Sequence, residues 1–212
     1  MSKTIVLLFC SAAMLGSPAA AASFSGPRFE LRGGWDRTTL SASVDDGVDH
    51  LSGRGHKSGF NVGGEIGYDA RLAPMMIAGV YGGIEGSTAK DCSVVFGNDQ
   101  ACLRLGRNLT LGGRLGAVVS PMAMLYVKGG YSNGQLRASY ANADDPTLDF
   151  KDHANRGGYH FGAGGEMPVG AGYVRLEYVR TNYSGYKWTD PDVTVKLDGH
   201  RDQLLAGFGL RF

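Results

Sequence analysis

Apolar and polar side chains alternate along eight segments of this chain. In the segment 60–69, for example, Phe, Val, Gly, Ile and Tyr at even positions interleave with Asn, Gly, Glu, Gly and Asp at odd positions. Residues two apart lie on the same face of a β-strand, so this period predicts strands with one apolar and one polar face. The segments cover approximately residues 29–36, 60–69, 75–86, 104–119, 125–132, 159–167, 174–178 and 203–212.

The connections between these segments sort by length. Long polar connections, rich in Asp, Asn and Ser, lie around 41–56, 87–103, 139–156 and 184–199. Short connections around 70–74, 120–123 and 168–172 each contain a proline. Strict alternation of long and short connections is typical of an outer-membrane barrel with an even number of strands, short periplasmic turns and long external loops.

A water-soluble sandwich or a lipocalin-type barrel would show the same alternation, with its apolar face inside. Two features favour the membrane barrel. The apolar set of leucines and aromatics comes from all eight segments, and the polar face mixes Glu and Arg with many glycines and few lysines. The 34 glycines among 212 residues also argue against a helical bundle. We therefore predict an all-β fold, an eight-stranded antiparallel up-and-down transmembrane β-barrel, whose closure leaves no strand edge in lipid.

The first residues predict export. Lys3 precedes an apolar stretch, and Ala20 and Ala22 provide the small side chains of a cleavage site before Ser23. We expect residues 1–22 to be a cleaved signal peptide and residues 23–212 to form the barrel domain. An uncleaved membrane anchor is the alternative, but the second half of this stretch is only weakly apolar. Cys10 is not expected to carry lipid, because the large Phe9 precedes it.

Two cysteines remain after such a cleavage, Cys92 and Cys102. An even pair in an exported chain is a candidate disulfide, and we predict that these two are joined. A metal site is less favoured, because no other His or Cys lies nearby in the sequence.

The polar face of the predicted strands carries both signs of charge in equal number. In a narrow barrel these side chains should pair, because an unpaired buried charge costs several kcal/mol. Inward glycines would leave room for them, since eight strands enclose an interior only just wide enough for side chains. The sequence therefore predicts a plugged lumen, with a continuous pore as the alternative. The predicted lumen network comprises Glu30, Arg32, Glu65, Glu85, Arg114, Lys128, Glu166, Arg175, Glu177 and Arg211.

No catalytic residue, metal site or cofactor site is predicted. Of the five histidines, only His160 lies in mid-strand on the polar face, and its neighbours Tyr159 and Phe161 supply no nucleophile. The acidic loop residues match no calcium-loop spacing, so we expect solvated charge; they are Asp45, Asp46, Asp49, Asp144, Asp145, Asp149 and Asp152. The near-neutral balance, Lys+Arg 21 against Asp+Glu 20, argues against nucleic acid as a partner.

The penultimate segment contains Leu176-Glu177-Tyr178, and the chain ends with alternating Phe208, Leu210 and Phe212. With the strand pattern and the signal, these residues resemble the small Gram-negative outer-membrane barrels of the OmpA transmembrane-domain and opacity-protein type. The resemblance covers the predicted mature chain. It implies a surface antigen of the outer membrane, and a terminal strand recognised by barrel-assembly machinery through Phe208, Leu210 and Phe212. It does not extend to the peptidoglycan-binding domain that many OmpA-type proteins carry.

One residue departs from the family pattern. Val179 stands where the family often has an inward arginine, and Arg180 follows it. On strict alternation Arg180 would face lipid, at a cost of about 2–4 kcal/mol at the midplane and near zero at the interface. We therefore expect an interfacial position or a β-bulge at this arginine.

These observations predict a monomeric, non-enzymatic outer-membrane protein with a structural or surface-antigen role. Its expected partners are outer-membrane lipid, lipopolysaccharide and the assembly machinery. A small, weakly selective porin-like channel is the first alternative, and an adhesin or ligand-binding surface protein is the second.

Overall fold

The computed structural model describes residues 24–45, 50–88, 90–95, 99–141, 150–190 and 193–212. The predicted signal peptide, with Ala20 and Ala22, lies outside these residues. Nine β-strands make up the described chain: β1 (Gly26–Asp45), β2 (His50–Ala73), β3 (Met76–Ser87), β4 (Lys90–Val95), β5 (Asp99–Ser120), β6 (Ala123–Ala141), β7 (Phe150–Val169), β8 (Gly172–Asp190) and β9 (Val193–Arg211). Nowhere in that part of the chain is there a helix with the length and apolar character needed to cross a bilayer.

The sheet closes on itself. Its strands run in the order β3-β2-β1-β9-β8-β7-β6-β5-β4, and an additional pairing joins β3 to β5. Eight strands therefore form a continuous antiparallel ring, which confirms the predicted fold class. The short β4 pairs with β5 from Lys90↔Arg104 to Val95↔Asp99, so it continues the line of β3 along β5 beyond the ring.

The strands are longer than the alternation predicted. The β1–β2 ladder runs from Gly26↔Asp69 to Asp45↔His50, so most of the expected loop 41–56 is paired strand. The described parts of the connections around 87–103, 139–156 and 184–199 are likewise mostly paired strand. A transmembrane strand needs only about 9–11 residues, so these ladders extend past the bilayer as hairpins, where polar side chains do not interrupt backbone pairing. We call the end of the barrel with these long hairpins the loop end, and the opposite end, with the short turns, the turn end.

The two faces of the ring have opposite character. Outward side chains are apolar and exposed, as for Leu111 at 68% and Ile66 at 62%, while inward side chains are polar and buried, as for Glu65 at 1%. This is the inverse of a water-soluble barrel, whose apolar side chains fill the interior. The outward set therefore faces lipid, and the inward set fills the lumen.

Short turns close the other end. Gly170 adopts a φ of 59° in the turn between β7 and β8, a left-handed conformation that glycine accepts without strain. Inside the barrel at this end, buried Phe24, Ile77, Met124 and Tyr126 form an apolar cluster.

Arg180 lies on the outer face without a bulge. The β7–β8 pairing is regular from Gly158↔Tyr183 to Val169↔Gly172, and Val179 is the inward, buried residue. Opposite Arg180 on β9 stands Asp202, 3.7 Å from the guanidinium. The hydroxyl of Tyr178 donates to the same carboxylate at 2.6 Å. A paired arginine near the loop end is compatible with the interfacial position, not with the bulge.

Candidate functional site in the barrel lumen

All ten residues of the predicted network point into the lumen. Nine are buried, and the side chain of Arg211 is 9% exposed. The predicted network left out four further buried charges: Asp36 and Asp69, which the alternation had placed on the polar face, and Arg28 and Arg201, which lie just outside the predicted segments. Each stands an even number of residues from a predicted lumen residue on the same strand, so the same period could have found them. Together the inward charges named here balance, with seven basic and seven acidic side chains.

Glu65, in the middle of β2, is the centre of this network. Its Oε1 lies 2.7 Å from Arg28 and 3.1 Å from Arg175. Its Oε2 lies 2.6 Å from Arg32 and 2.9 Å from Lys128. The Glu65 side chain has no solvent exposure, and the four cations come from strands around the ring. One carboxylate therefore joins cations from β1, β6 and β8 to β2 across the barrel axis.

A second carboxylate supports the same layer. Glu177 lies 3.2 Å from Lys128 through Oε1 and accepts a hydrogen bond of 2.6 Å from the Tyr126 hydroxyl through Oε2. The guanidinium of Arg175 pairs with Glu30 and lies 3.8 Å from Glu177. Each cation of this layer thus contacts more than one carboxylate, which offsets the cost of removing it from water.

A lower layer lies towards the turn end. Arg114 donates two hydrogen bonds to the two oxygens of Asp69, at 2.9 and 2.6 Å, a bidentate arrangement. It also lies 3.2 Å from Glu166. Arg211 contacts the same two carboxylates, at 3.1 Å for Asp69 and 2.6 Å for Glu166. This layer therefore ties the last strand to β2, β5 and β7.

An upper layer lies towards the loop end. Arg201 donates to Asp36 at 2.6 and 2.9 Å. Glu85 pairs with Arg32 and accepts a hydrogen bond of 3.0 Å from Gln203. Along the barrel axis, the lumen is thus crossed by three successive layers of paired charge.

Aromatic rings fill the space between the charges. The Lys128 ammonium lies 4.1 Å from the ring centroid of Tyr81, and Arg114 lies 5.0 Å from that of Tyr126. These are cation–π distances, and the rings also exclude water from the ion pairs.

Inward glycines make room for the long charged side chains. A Cβ atom on Gly67 would lie 2.8 Å from the Arg28 guanidinium, and one on Gly207 would lie 2.6 Å from a Glu30 oxygen. A larger residue at either position would displace the ion pair that occupies the space.

His160 is also a lumen residue, and its partners come from other strands. Its Nδ1 lies 2.8 Å from the Ser132 hydroxyl and its Nε2 lies 2.5 Å from the Tyr81 hydroxyl. The expectation from Tyr159 and Phe161 that no nucleophile is near was therefore incomplete, since Ser132 reaches the ring from β6. The buried imidazole has both nitrogens occupied, and no carboxylate orients it as in a hydrolase triad.

The other predicted residues lie away from the lumen. The sulfur atoms of Cys92 and Cys102 are 2.00 Å apart, at directly opposed positions of β4 and β5. Phe208, Leu210 and Phe212 are exposed on the outer face of the closing strand or just after it. Asp46, Asp49, Asp144, Asp145 and Asp149 lie outside the described residues, within which no cluster of three or more His, Cys, Asp or Glu side chains could hold a metal ion.

Solved structures with a similar arrangement are outer-membrane proteins of low sequence identity. The attachment invasion locus protein Ail of Yersinia pestis is 15% identical, with 88% of this chain and 100% of that chain covered and a TM-score of 0.39. The outer membrane protein OprG of Pseudomonas aeruginosa is 10% identical, with 89% of this chain and 98% of that chain covered and a TM-score of 0.44. The outer membrane protease OmpT of Escherichia coli is 11% identical, with 88% of this chain and 97% of that chain covered and a TM-score of 0.46.

No curated protein matches the sequence of this chain. The family of the outer membrane protein beta-barrel domain, in contrast, matches residues 7–212, nearly the whole sequence. This family implies location in the outer membrane of a Gram-negative bacterium. With its closed ring of eight strands and its lipid-facing apolar wall, the chain belongs to the outer membrane protein beta-barrel domain family.

Proposed function

We propose that this protein is a non-enzymatic, structural component of the outer membrane, a barrel whose lumen is closed by its own charges. In this role it anchors four hairpins at the outer surface, where they act as surface antigens. A cleaved signal exports it, and the barrel-assembly machinery inserts it as a monomer through the terminal strand.

The observation that carries this proposal is the position of Glu65. Its carboxylate binds four cations from three strands across the axis, and the side chains of all five residues are between 0 and 3% exposed. Ion conduction needs a continuous wet path with mobile counterions. Here the fixed charges neutralise one another, so a passing ion would have to break several ion pairs at once.

The apolar cluster at the turn end supports closure independently. Phe24, Ile77 and Met124 are each 0–2% exposed and pack with Tyr126, whose ring and hydroxyl contact the charged layers. An ion in this part of the lumen would meet apolar side chains, which offer it little hydration.

The surroundings of His160 support the absence of catalysis. Acyl transfer needs a nucleophile that the substrate can reach, beside the base that takes its proton. Ser132, the hydroxyl beside His160, is completely buried, and His160 itself is 3% exposed. A lipid or peptide substrate at the outer wall would not reach either side chain.

Vesicle swelling and lipid analysis together test this function. Protein purified from outer membranes is incorporated into vesicles, and the uptake of small sugars and of potassium chloride is compared with that of empty vesicles. Lipid A from cells with and without the protein is compared by mass. Equal uptake and identical lipid A masses are expected. Faster uptake would make the protein a pore, and a lipid A mass change that Ser132→Ala abolishes would make it an enzyme.

A further inference from the structure

A groove of about 460 Å³ crosses the outer wall of the barrel where β2, β3, β5 and β6 approach the loop end. Its lining includes Val62, Gly64, Ile84 and Gly86 on the first two strands, and Arg107 and Arg137 on the other two. The lining also includes Glu85 and Ser87 from the lumen side of β3, where Glu85 is buried and paired with Arg32.

The floor of this groove is apolar and its loop-end edge is basic. Val62 and Ile84 are 54 and 55% exposed and belong to the lipid-facing set. Gly86 deepens the floor, since a Cβ atom placed there would have no neighbour within 4 Å. On β5, Leu109 is the last outward apolar residue before Arg107. Arg107 therefore directly follows the apolar band on β5, and Arg137 lies further towards the loop end, past Asn133 and Gln135 on β6.

A β-bulge lies beside Arg107 at this end of the groove. The β5–β6 register shifts between Leu105 and Asn108, which places one extra residue on β5 opposite Gln135. Bulges of this kind re-aim side chains, and here Arg107 lines the same groove as Arg137. The Arg137 guanidinium donates a hydrogen bond of 2.9 Å to Gln135, which holds it beside the groove.

Within the described part of the chain, no carboxylate neutralises either arginine. Among the described residues, no carboxylate lies within 4.0 Å of the guanidinium of Arg107 or Arg137, whereas Arg180 on the same outer face has Asp202. Two neighbouring guanidinium groups repel each other unless an anion lies between them. At the outer leaflet, phosphate groups of lipid are the anions that are always present, and guanidinium binds phosphate oxygens in bidentate geometry.

We propose that this groove is a binding site for a phosphorylated lipid of the outer leaflet, lipid A. A phosphate group binds between Arg107 and Arg137, and an acyl chain lies on Val62 and Ile84 across Gly86. The match of a cationic edge to an apolar floor selects an amphiphile over a free anion.

The test measures lipid A binding to the wild-type protein and to three variants. Each protein is purified from outer membranes, exchanged into phosphatidylcholine nanodiscs and titrated with lipid A, and bound lipid is counted by native mass spectrometry. Arg107→Gln with Arg137→Gln removes the basic edge. Gly86→Leu fills the groove and leaves both charges. Arg180→Gln is the matched control, an outward arginine at the loop end outside the groove.

Loss of the charge-assisted hydrogen bonds is expected to weaken lipid A binding roughly tenfold or more in the double variant. Gly86→Leu is expected to weaken it as well, and Arg180→Gln to leave it unchanged. For the wild type, dephosphorylated lipid A should bind more weakly, and millimolar inorganic phosphate should not compete.

Unchanged binding by the double variant, or an equal loss in Arg180→Gln, would overturn the proposal. Competition by millimolar inorganic phosphate would make the site one for free anions and would also overturn it. If the double variant does not fold, Gly86→Leu and the dephosphorylated lipid decide, since neither alters a charged side chain.

Discussion

The lumen and the outer wall of this barrel use arginine in opposite ways. Inside, every named cation contacts at least one carboxylate, and Glu65 alone contacts four cations. Outside, Arg180 has a single partner at 3.7 Å, while Arg107 and Arg137 have no described carboxylate near them. The named cations of the lumen are therefore paired within the chain, whereas the two arginines of the groove are open to the anion of the membrane that we propose.

The difference follows from what surrounds each surface. A buried charge without a partner costs several kcal/mol, so the lumen must neutralise itself when the barrel closes. Headgroups and water surround the loop-end rim of the outer wall, where an arginine costs about 0–1 kcal/mol. Unpaired arginines are tolerated there and can take part in recognition.

The largest effect is expected from removing the centre of the lumen network. Glu65→Ala leaves four buried cations without their shared carboxylate and should lower the free energy of unfolding by about 3–5 kcal/mol. Asp202→Ala breaks the ion pair on the outer wall and should lower it by about 0–1 kcal/mol. Urea unfolding in lipid vesicles, followed by tryptophan fluorescence, measures both. Equal losses in the two variants would contradict the difference between lumen and wall.

Two glycines sharpen the same comparison without changing a charge. Gly67→Val places a side chain against the backbone oxygen of Val80 and the Arg28 guanidinium. It should therefore lower the free energy of unfolding by about 1–3 kcal/mol. Gly86→Val on the outer wall meets no atom within 4 Å. Its effect should stay within about 0.5 kcal/mol. The same unfolding measurement applies, and a tolerated Gly67→Val would mean that the lumen is not tightly packed.

A smaller effect is expected at His160. Ser132→Ala leaves the buried Nδ1 of His160 without its hydrogen-bond partner. The free energy of unfolding should fall by about 1–3 kcal/mol, near the lower limit because the lost hydroxyl is neutral. Ser58→Ala on the exposed part of β2 is the control and should lie within about 0.5 kcal/mol of the wild type. A cost for Ser132→Ala no larger than that of the control would show that this hydrogen bond does not stabilise the lumen.

The smallest effect concerns the Cys92–Cys102 pair. It joins β4 to β5 beyond the closed ring, so its reduction should leave the heat-modifiable migration of the barrel unchanged. Alkylation without a reductant is expected to label neither residue, and alkylation after reduction both, as counted by mass. One label without reductant at Cys10 would indicate an uncleaved signal. Labels on both Cys92 and Cys102 would contradict the disulfide.

The sequence predicted the ring and the sidedness of its strands because both depend on a local period of two. Glu65 and Glu177 could be assigned to the lumen from parity alone. The extent of the strands was not predicted, since Ser41, Ser43 and Asp45 are polar yet remain paired, with partners that are polar as well, namely Arg54, Ser52 and His50. Polar composition indicates contact with water, but it does not end a β-ladder.

Features that depend on register were beyond sequence reasoning. Ser132 and His160 meet only because β6 and β7 pair at a particular offset, and no neighbour of His160 along the chain indicates it. Likewise, Arg107 and Arg137 line one groove although they lie 30 residues apart in the sequence, next to a register shift that no local pattern indicates. Such contacts are set by the closed ring as a whole.

Single-channel conductance in planar bilayers tests the closed lumen most directly. The wild-type protein is measured beside Arg114→Ala, which removes the bidentate contact to Asp69 in the lower layer. Closure by balanced charge predicts a silent wild type, with any openings confined to the variant. Discrete, reproducible openings of the wild type, with a conductance that changes in Arg114→Ala, would show that ions pass the charged layers and would contradict the closed lumen.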